Sequence, residues 1–202
     1  MTPIASPIRA FHLANALTYV SLLAGVAAMA CAANELAPAT GALIALSVIA
    51  DTFDGRFARL FDRTGDELAL GVQLDSLSDA IAFGIAPAIC AGVLITDAGS
   101  WTLSAQVLWW ASIAGYAACA ITRLAFYNVT CESHSGFIGL PVPVAALIWA
   151  TALLFAPGPA TSVALFATTA ALMVLPLPIP RPTGVGLAAF ACWPLAVIVL
   201  SF

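Results

Sequence analysis

The stretch DTFDGRFARLFDRTGDELALGVQLDSLSD, residues 51–79, contains most of the ten acidic residues of this 202-residue chain. Only 8% of the chain is charged, whereas 62% is hydrophobic. Four of the acids, Asp51, Asp54, Asp75 and Asp79, lie at regular spacing on two apolar segments. Carboxylates on apolar membrane helices are costly unless a cation neutralises them. The stretch therefore predicts a cation site formed by two helices of a membrane protein.

The fold class follows from hydropathy. A mean hydropathy of +1.05 excludes an ordinary soluble domain. Seven apolar stretches are long enough to predict spanning helices, although the last three are short and bounded by proline: 13–33, 37–58, 71–96, 102–125, 138–156, 160–177 and 184–201. We predict an all-α, polytopic membrane helix bundle with six or seven transmembrane helices. It forms a single domain over residues 1–202, in which residues 1–11 are a short interfacial segment.

The charges predict an orientation. If the N-terminus is cytoplasmic, all six arginines fall at cytoplasmic ends or loops, whereas Glu35 and Asp97 lie on the opposite side. This arrangement places the acidic residues at the cytoplasmic end of the second and third predicted spans.

The first half of the acidic stretch predicts one functional helix face. Asp51, Asp54, Gly55, Ala58 and Arg59 lie at offsets that a helix brings to one side. Gly55 and Ala58 leave a smooth groove beside the carboxylates, where a ligand can approach the backbone. Arg59 ends this face with a guanidinium that suits phosphate.

The second half repeats the arrangement. Gly71, Asp75 and Asp79 are four residues apart and share a helix face. If the two helices form an antiparallel hairpin, the four carboxylates converge. Hard oxygen ligands select Mg²⁺, Mn²⁺ or Ca²⁺, and four acids suit two divalent ions that hold a diphosphate.

The alternative is a network of salt bridges between these acids and the arginines of residues 56–63. The remaining acids, Asp62, Asp66 and Glu67, are expected in a solvated connecting loop.

The motifs in this stretch match a family signature. The pattern D-x2-D-G-x2-A-R-x8-G-x3-D-x3-D is met at every fixed position, and the chain resembles the CDP-alcohol phosphatidyltransferase family. Eleven residues separate Arg59 from Gly71, three more than in the pattern. Within the family the chain is most similar to bacterial-type phosphatidylserine synthases. The segments that carry this likeness are LDSLSDAIAFGIAPA at 74–88, FIGLPVP at 137–143 and NALT at 15–18.

The resemblance implies a reaction and its donor site. The expected reaction transfers the phosphatidyl group of CDP-diacylglycerol to serine and releases CMP. Two divalent ions, Mg²⁺ or Mn²⁺ or else Ca²⁺, would be held by the four aspartates, with Asp79 also acting as general base. The expected CDP-binding residues are Gly55, Ala58, Arg59, Gly71 and Asn15.

The acceptor is implied less directly. Arg123 and Arg181 are the expected partners of the serine carboxylate, although the subfamily's second arginine is replaced by Phe126. Choline, inositol, glycerol phosphate or a second lipid therefore remain alternative acceptors. A divalent-cation transporter and an intramembrane prenyltransferase are alternatives of other classes.

The resemblance also implies a setting. It predicts a homodimer in a prokaryotic inner or cell membrane, in contact with membrane lipids. No nucleic-acid partner is predicted.

Overall fold

Helices form nearly all of the regular structure in the computed structural model, which describes Ile8 and residues 11–95, 101–130, 137–179 and 185–202. The predicted interfacial segment, apart from Ile8 and Phe11, and Arg181 lie outside these residues. The α-helices are α1 (Ala16–Ala33), α2 (Ala37–Ala58), α3 (Gly65–Asp79), α4 (Ala86–Leu94), α5 (Leu103–Thr130), α6 (Val142–Leu153), α7 (Pro159–Val174) and α8 (Val185–Leu200). A 3₁₀ turn (Leu13–Asn15) precedes α1, and a π-helical segment (Ala80–Ile85) joins α3 to α4.

Three helical segments in the described part of the chain are long and apolar enough to cross a membrane: Leu13–Ala33, Gly65–Leu94 and Leu103–Thr130. Shorter apolar helices cover Val142–Leu153, Pro159–Val174 and Ala188–Leu200. The chain is therefore an all-α integral membrane protein. Each of the seven predicted stretches overlaps one of these helical segments or α2, and the number that cross the membrane stays a prediction.

The boundaries of two helices differ from prediction. α3 begins at Gly65 rather than near 71, so Asp66 and Glu67 lie in its first turn and not in a loop. The cause is a capping box: the Glu67 N–H donates to Thr64 Oγ1 at 3.3 Å, and the Thr64 N–H donates to Glu67 Oε2 at 2.9 Å. The second difference is in α5, which continues to Thr130 instead of ending near 125.

Small residues bring α1 close to its neighbours. Ser21 and Ser47 hydroxyls lie 2.9 Å apart between α1 and α2. On another side of α1, a Cβ added to Gly25 would lie 2.9 Å from the Cα of Ala82 in the π-helical segment. Only a glycine permits this approach, so α1 packs directly against the backbone that follows Asp79.

The core is aromatic at its centre. Phe166 on α7 lies 3.9 Å from Trp149 on α6 between ring centroids, and it also contacts Trp109 and Tyr116 on α5. All four side chains are buried. The Tyr116 hydroxyl donates to the Phe83 carbonyl at 3.0 Å, which links α5 to the π-helical segment. This packing fixes the segment that continues from Asp79.

A short antiparallel strand pair joins the chain before α6 to the chain after α7. β1 (Phe137–Ile138) pairs with β2 (Pro178–Ile179). Gly139 follows β1 with φ of +74°, and its N–H donates to the Leu177 carbonyl at 2.9 Å. A Cβ at this position would collide with the Met173 carbonyl oxygen. The FIGLP segment therefore needs glycine for both its backbone conformation and its contact with α7.

Candidate active site

The hairpin of α2 and α3 brings carboxylates together. Asp51, Asp54 and Asp75 each offer a carboxyl oxygen, and these oxygens all lie within 4.8 Å of one another. Asp79 lies close enough to this group to interact electrostatically with Asp51 and Asp75. The antiparallel hairpin thus brings Asp51, the first acid of α2, next to Asp79, the last acid of α3.

The environment of these carboxyl groups suits a cation. Asp75 Oδ1 is buried and has no hydrogen-bond partner among the described residues. In the same part of the chain, no arginine forms an ion pair with the four aspartates, so the alternative salt-bridge network is not seen. Close carboxylates repel each other, and a buried one without a partner is costly. The donor set of hard oxygens fits a divalent cation, so the cluster of Asp51, Asp54 and Asp75 can bind a metal.

Two hydroxyl groups, those of Thr18 and Ser78, support the cluster through hydrogen bonds. The sequence did not predict either residue as part of the site. Thr18 Oγ1 donates to Asp54 Oδ2 at 3.1 Å. Ser78 Oγ in turn donates to the Thr18 carbonyl at 3.1 Å and is buried. Both bonds connect α1 to the acidic hairpin and fix the position of Asp54. The only sequence signal for Thr18 was its place in the NALT segment.

A cavity of about 300 Å³ opens on one side of the cluster and is called the smaller cavity here. It is lined by Asp54 and Asp75 and by residues of the 3₁₀ turn, α1, α2, the α2–α3 link and α3, namely Ala14, Asn15, Thr18, Gly55, Ala58, Arg63, Leu68, Ala69, Gly71 and Val72. The predicted residues Gly55, Ala58, Gly71 and Asn15 thus share one cavity. A Cβ added to Gly71 would lie 3.2 Å from Arg63 Nη1 and 3.4 Å from Asn15 Oδ1.

The arginine of the smaller cavity is not the predicted one. Arg59 is exposed and is not among its lining residues, whereas Arg63 is. The sequence predicted Arg59 on the same helix face as Asp51 and Asp54, whereas α2 ends at Ala58 and Arg59 is its C-cap residue. Arg63 lies in the longer link before α3, which is where the three additional residues fall.

A second cavity of about 760 Å³, the larger cavity, lies on the other side of the acids. Asp51 and Asp79 line it together with Arg123. The rest of its lining is mostly apolar and comes from α5, β1, the link from β1 to α6, α6, β2 and α8: Leu124, Tyr127, Phe137, Leu140, Pro141, Pro143, Val144, Ile179, Gly186, Ala189, Phe190 and Trp193, with Thr52 from α2. The carboxylates therefore lie between two cavities, each with its own arginine.

Arg123 is the buried cation of the larger cavity. It is only 6% exposed, and its Nε and Nη2 atoms are buried without hydrogen-bond partners in the described residues. Its Cζ atom lies 5.2 Å from the Tyr127 ring centroid and 5.7 Å from that of Phe137. The predicted second acceptor residue, Arg181, lies outside the described residues.

The fold and this site define an integral membrane protein in which an acidic, metal-type cluster on a helix hairpin separates two cavities. The family model of CDP-alcohol phosphatidyltransferases matches residues 11–177. The chain therefore belongs to the CDP-alcohol phosphatidyltransferase family.

Curated relatives carry more specific names. The chain is 33% identical over 142 residues to a CDP-diacylglycerol–serine O-phosphatidyltransferase of Mycobacterium bovis, an alignment that covers 67% of this chain and 46% of the relative. It is 33% identical over 109 residues to the protein of that name from Helicobacter pylori, covering 52% and 42%. It is 40% identical over 105 residues to an archaetidylserine synthase of Methanothermobacter thermautotrophicus, covering 52% and 42%. The chain spans less than half the length of these relatives.

Proposed function

We propose that this protein transfers the phosphatidyl group of CDP-diacylglycerol to L-serine and releases CMP. The observation that carries the proposal is the position of the carboxylate cluster between two cavities, one with Arg63 and one with Arg123. A donor with a diphosphate and an acceptor with a carboxylate would each meet a guanidinium on its own side of the cluster. The names of the relatives support serine as the acceptor.

The smaller cavity would receive the nucleotide part of the donor. Gly55 has nothing within 4 Å of an added Cβ, so it leaves space beside Asp54 for a ligand. Gly71 keeps room for Arg63 and Asn15, whose side chains would contact the polar head of CDP. The charge of Arg63 would balance the diphosphate, and Arg59, exposed at the end of α2, would act from outside the cavity.

Asp51, Asp54 and Asp75 would hold the divalent metal, with Asp79 beside them. We propose Mg²⁺ or Mn²⁺, with Ca²⁺ as an alternative, and a complement of two ions. When bound, such a cation supplies charge neutralisation for the diphosphate and for the departing phosphate. The hydroxyl of Thr18 would keep Asp54 in position for this role.

Asp79 would act as the general base from the larger cavity. It lines that cavity with Asp51 and Arg123, where the serine carboxylate would bind the guanidinium. The serine hydroxyl would give its proton to Asp79, and its oxygen would form a bond to the lipid-side phosphorus. The phosphoanhydride bond then breaks and CMP leaves with the bridging oxygen. No covalent enzyme intermediate is needed, because donor and acceptor reach the cluster from separate cavities.

The proposed setting is a prokaryotic inner or cell membrane, with the N-terminus and the acidic cluster on the cytoplasmic side. The arginines of residues 56–63 lie at or just beyond the C-terminal end of α2, next to the aspartates of that helix. Under the positive-inside rule, this position supports a cytoplasmic location. A homodimer and six or seven spans belong to the same proposal. Membrane lipids would surround the exposed apolar side chains.

The experiment is a CMP-release assay on the purified protein in lipid nanodiscs with CDP-diacylglycerol, Mn²⁺ and a panel of alcohols: L-serine, choline, inositol and glycerol 3-phosphate. We expect CMP release with L-serine well above the background without an alcohol. Release with another alcohol and not with serine would overturn the acceptor. Absence of CMP with every alcohol, together with Mn²⁺ flux in liposomes, would favour the transporter alternative.

A further inference from the structure

Arg123 is a buried cation whose donors are not fully used. Its Nε and Nη2 atoms lack partners in the described part of the chain, although Asp51 and Asp79 line the same cavity. A buried charge without hydrogen bonds is destabilising, and it persists in a fold when something else compensates it. The surroundings of this guanidinium show what that compensation is.

Two aromatic rings contact the guanidinium. Tyr127 lies one helical turn after Arg123 on α5, and its ring centroid is 5.2 Å from the Arg123 Cζ atom. The Phe137 centroid is 5.7 Å from the same atom, and the two rings lie 5.8 Å apart at 37°. Ring faces attract a cation without accepting its in-plane N–H groups in conventional hydrogen bonds. The rings therefore stabilise the charge and leave its N–H donors for a ligand.

Phe137 is held in place from a distant part of the sequence. It pairs with Ile179 in the short strand pair, and the Leu140 N–H donates to the Leu172 carbonyl at 2.8 Å. The ring position is thus set by the end of α7 and by β2, while Arg123 and Tyr127 come from α5. Three parts of the chain must assemble before the guanidinium is fixed.

We infer that Tyr127 and Phe137 are positioning residues that hold the Arg123 guanidinium ready for the carboxylate of the acceptor, and so select amino-acid acceptors. This inference rests on the proposed transfer to serine. When serine enters the larger cavity, its carboxylate meets the fixed N–H donors of Arg123. Its hydroxyl then faces Asp51 and Asp79. An amino alcohol without a carboxylate leaves the buried donors unpaired and binds poorly.

The test compares leucine substitutions of the two rings in the CMP-release assay. Tyr127→Leu and Phe137→Leu are each expected to raise the KM for L-serine about tenfold, from the loss of a desolvated cation–π contact. The kcat and the KM for CDP-diacylglycerol should stay within about twofold of the unchanged protein. Tyr127→Phe retains a ring and should retain the serine KM. Phe126→Leu is the matched control, because Phe126 is the exposed neighbour on α5 and does not line the cavity.

The outcomes separate this inference from the proposed function. If the unchanged protein releases no CMP with serine, the proposed acceptor is wrong and this inference falls with it. If serine is an acceptor but both leucine variants keep its KM, the positioning role is overturned and the proposed function stands. A loss of kcat with a rise in both KM values, unrescued in Tyr127→Phe, would also overturn it, since that result reflects general misfolding.

Discussion

Gly55 lies on the part of α2 that lines the smaller cavity, and it offers open space where any other residue would place a side chain. The Cβ of a leucine at this position would meet nothing within 4 Å, and its side chain would extend into the smaller cavity. We expect Gly55→Leu to raise the KM for CDP-diacylglycerol on the order of tenfold or more, because the leucine side chain would occupy the space that the ligand needs. The measurement is CMP release as a function of CDP-diacylglycerol concentration.

Gly115 supplies the control for this substitution. It is also a helical glycine with nothing within 4 Å of an added Cβ, but it lies on α5 outside both cavities. Gly115→Leu should leave the donor KM unchanged. Both variants should unfold at or above the temperature of the unchanged protein, since leucine favours helix by about 0.8 kcal/mol relative to glycine. Equal donor KM values for the two variants would contradict the assignment of the smaller cavity.

At the scale of residues, the sequence predicted the carboxylate cluster correctly where regular helical periodicity determines which side chains share a face. The spacing of Asp51 and Asp54 on one side and Asp75 on the other was enough to predict that they face each other. Arg59, the predicted partner of the diphosphate, is exposed at the end of α2 and does not line the smaller cavity, so its role stays a prediction. Arg63 enters the site through the conformation of a link, and no periodicity describes a link.

Among the structural elements, the strand pair of β1 and β2 depends on the glycine that follows β1. Gly139 combines a positive φ with close contact to the Met173 carbonyl. Gly139→Ala should cost at least about 1–2 kcal/mol, which lowers the melting temperature by at least about 2–4 °C in a chain of this size. Because Phe137 lies two residues earlier, the KM for serine should rise as well. Thermal unfolding in nanodiscs and the CMP-release assay measure the two effects.

Gly158 provides a matched loop glycine. It is the N-cap of α7 with φ of −67°, and an added Cβ would meet nothing within 4 Å. Gly158→Ala should change the melting temperature little and the serine KM not at all. If Gly139→Ala proved as stable and as active as Gly158→Ala, the strand pair would have no part in forming the larger cavity.

Helices were the predictable elements of this fold. α2 spans 37–58 as its apolar stretch indicated, because hydropathy and a proline at the start mark its bounds. The two-residue strands were not predictable, since they form only when the ends of distant helices meet. The π-helical segment was also not foreseen. It depends on the close approach of α1 at Gly25 and on the hydroxyl of Tyr116, both of which are tertiary contacts.

At the scale of the whole molecule, the distribution of arginines predicts which way the bundle faces. In a variant whose native cysteines are replaced by alanine, Asp62→Cys in the α2–α3 link should react with a membrane-impermeant maleimide only in inside-out vesicles. Leu36→Cys in the α1–α2 turn should react in intact cells. Both positions are exposed, so accessibility within the protein does not decide the result. The reverse labelling pattern would contradict a cytoplasmic acidic cluster.

The relation of the two cavities was beyond sequence reasoning. The motif of residues 51–79 identifies one wall of each cavity. The other wall of the larger cavity comes from α5, α6, α8 and the strand pair, which lie far away in the chain. The separation of Arg63 from Arg123 by the carboxylates is therefore a property of packing and not of any local pattern.

The central claim is that the acidic hairpin binds a divalent cation between the two cavities. Electron paramagnetic resonance of Mn²⁺ titrated into the purified protein tests it directly, comparing the unchanged chain with Asp54→Asn/Asp75→Asn. We predict that the unchanged protein removes Mn²⁺ from the free hexaaqua signal and that the double variant does not, although it remains folded. Equal Mn²⁺ binding by the two proteins would contradict the claim.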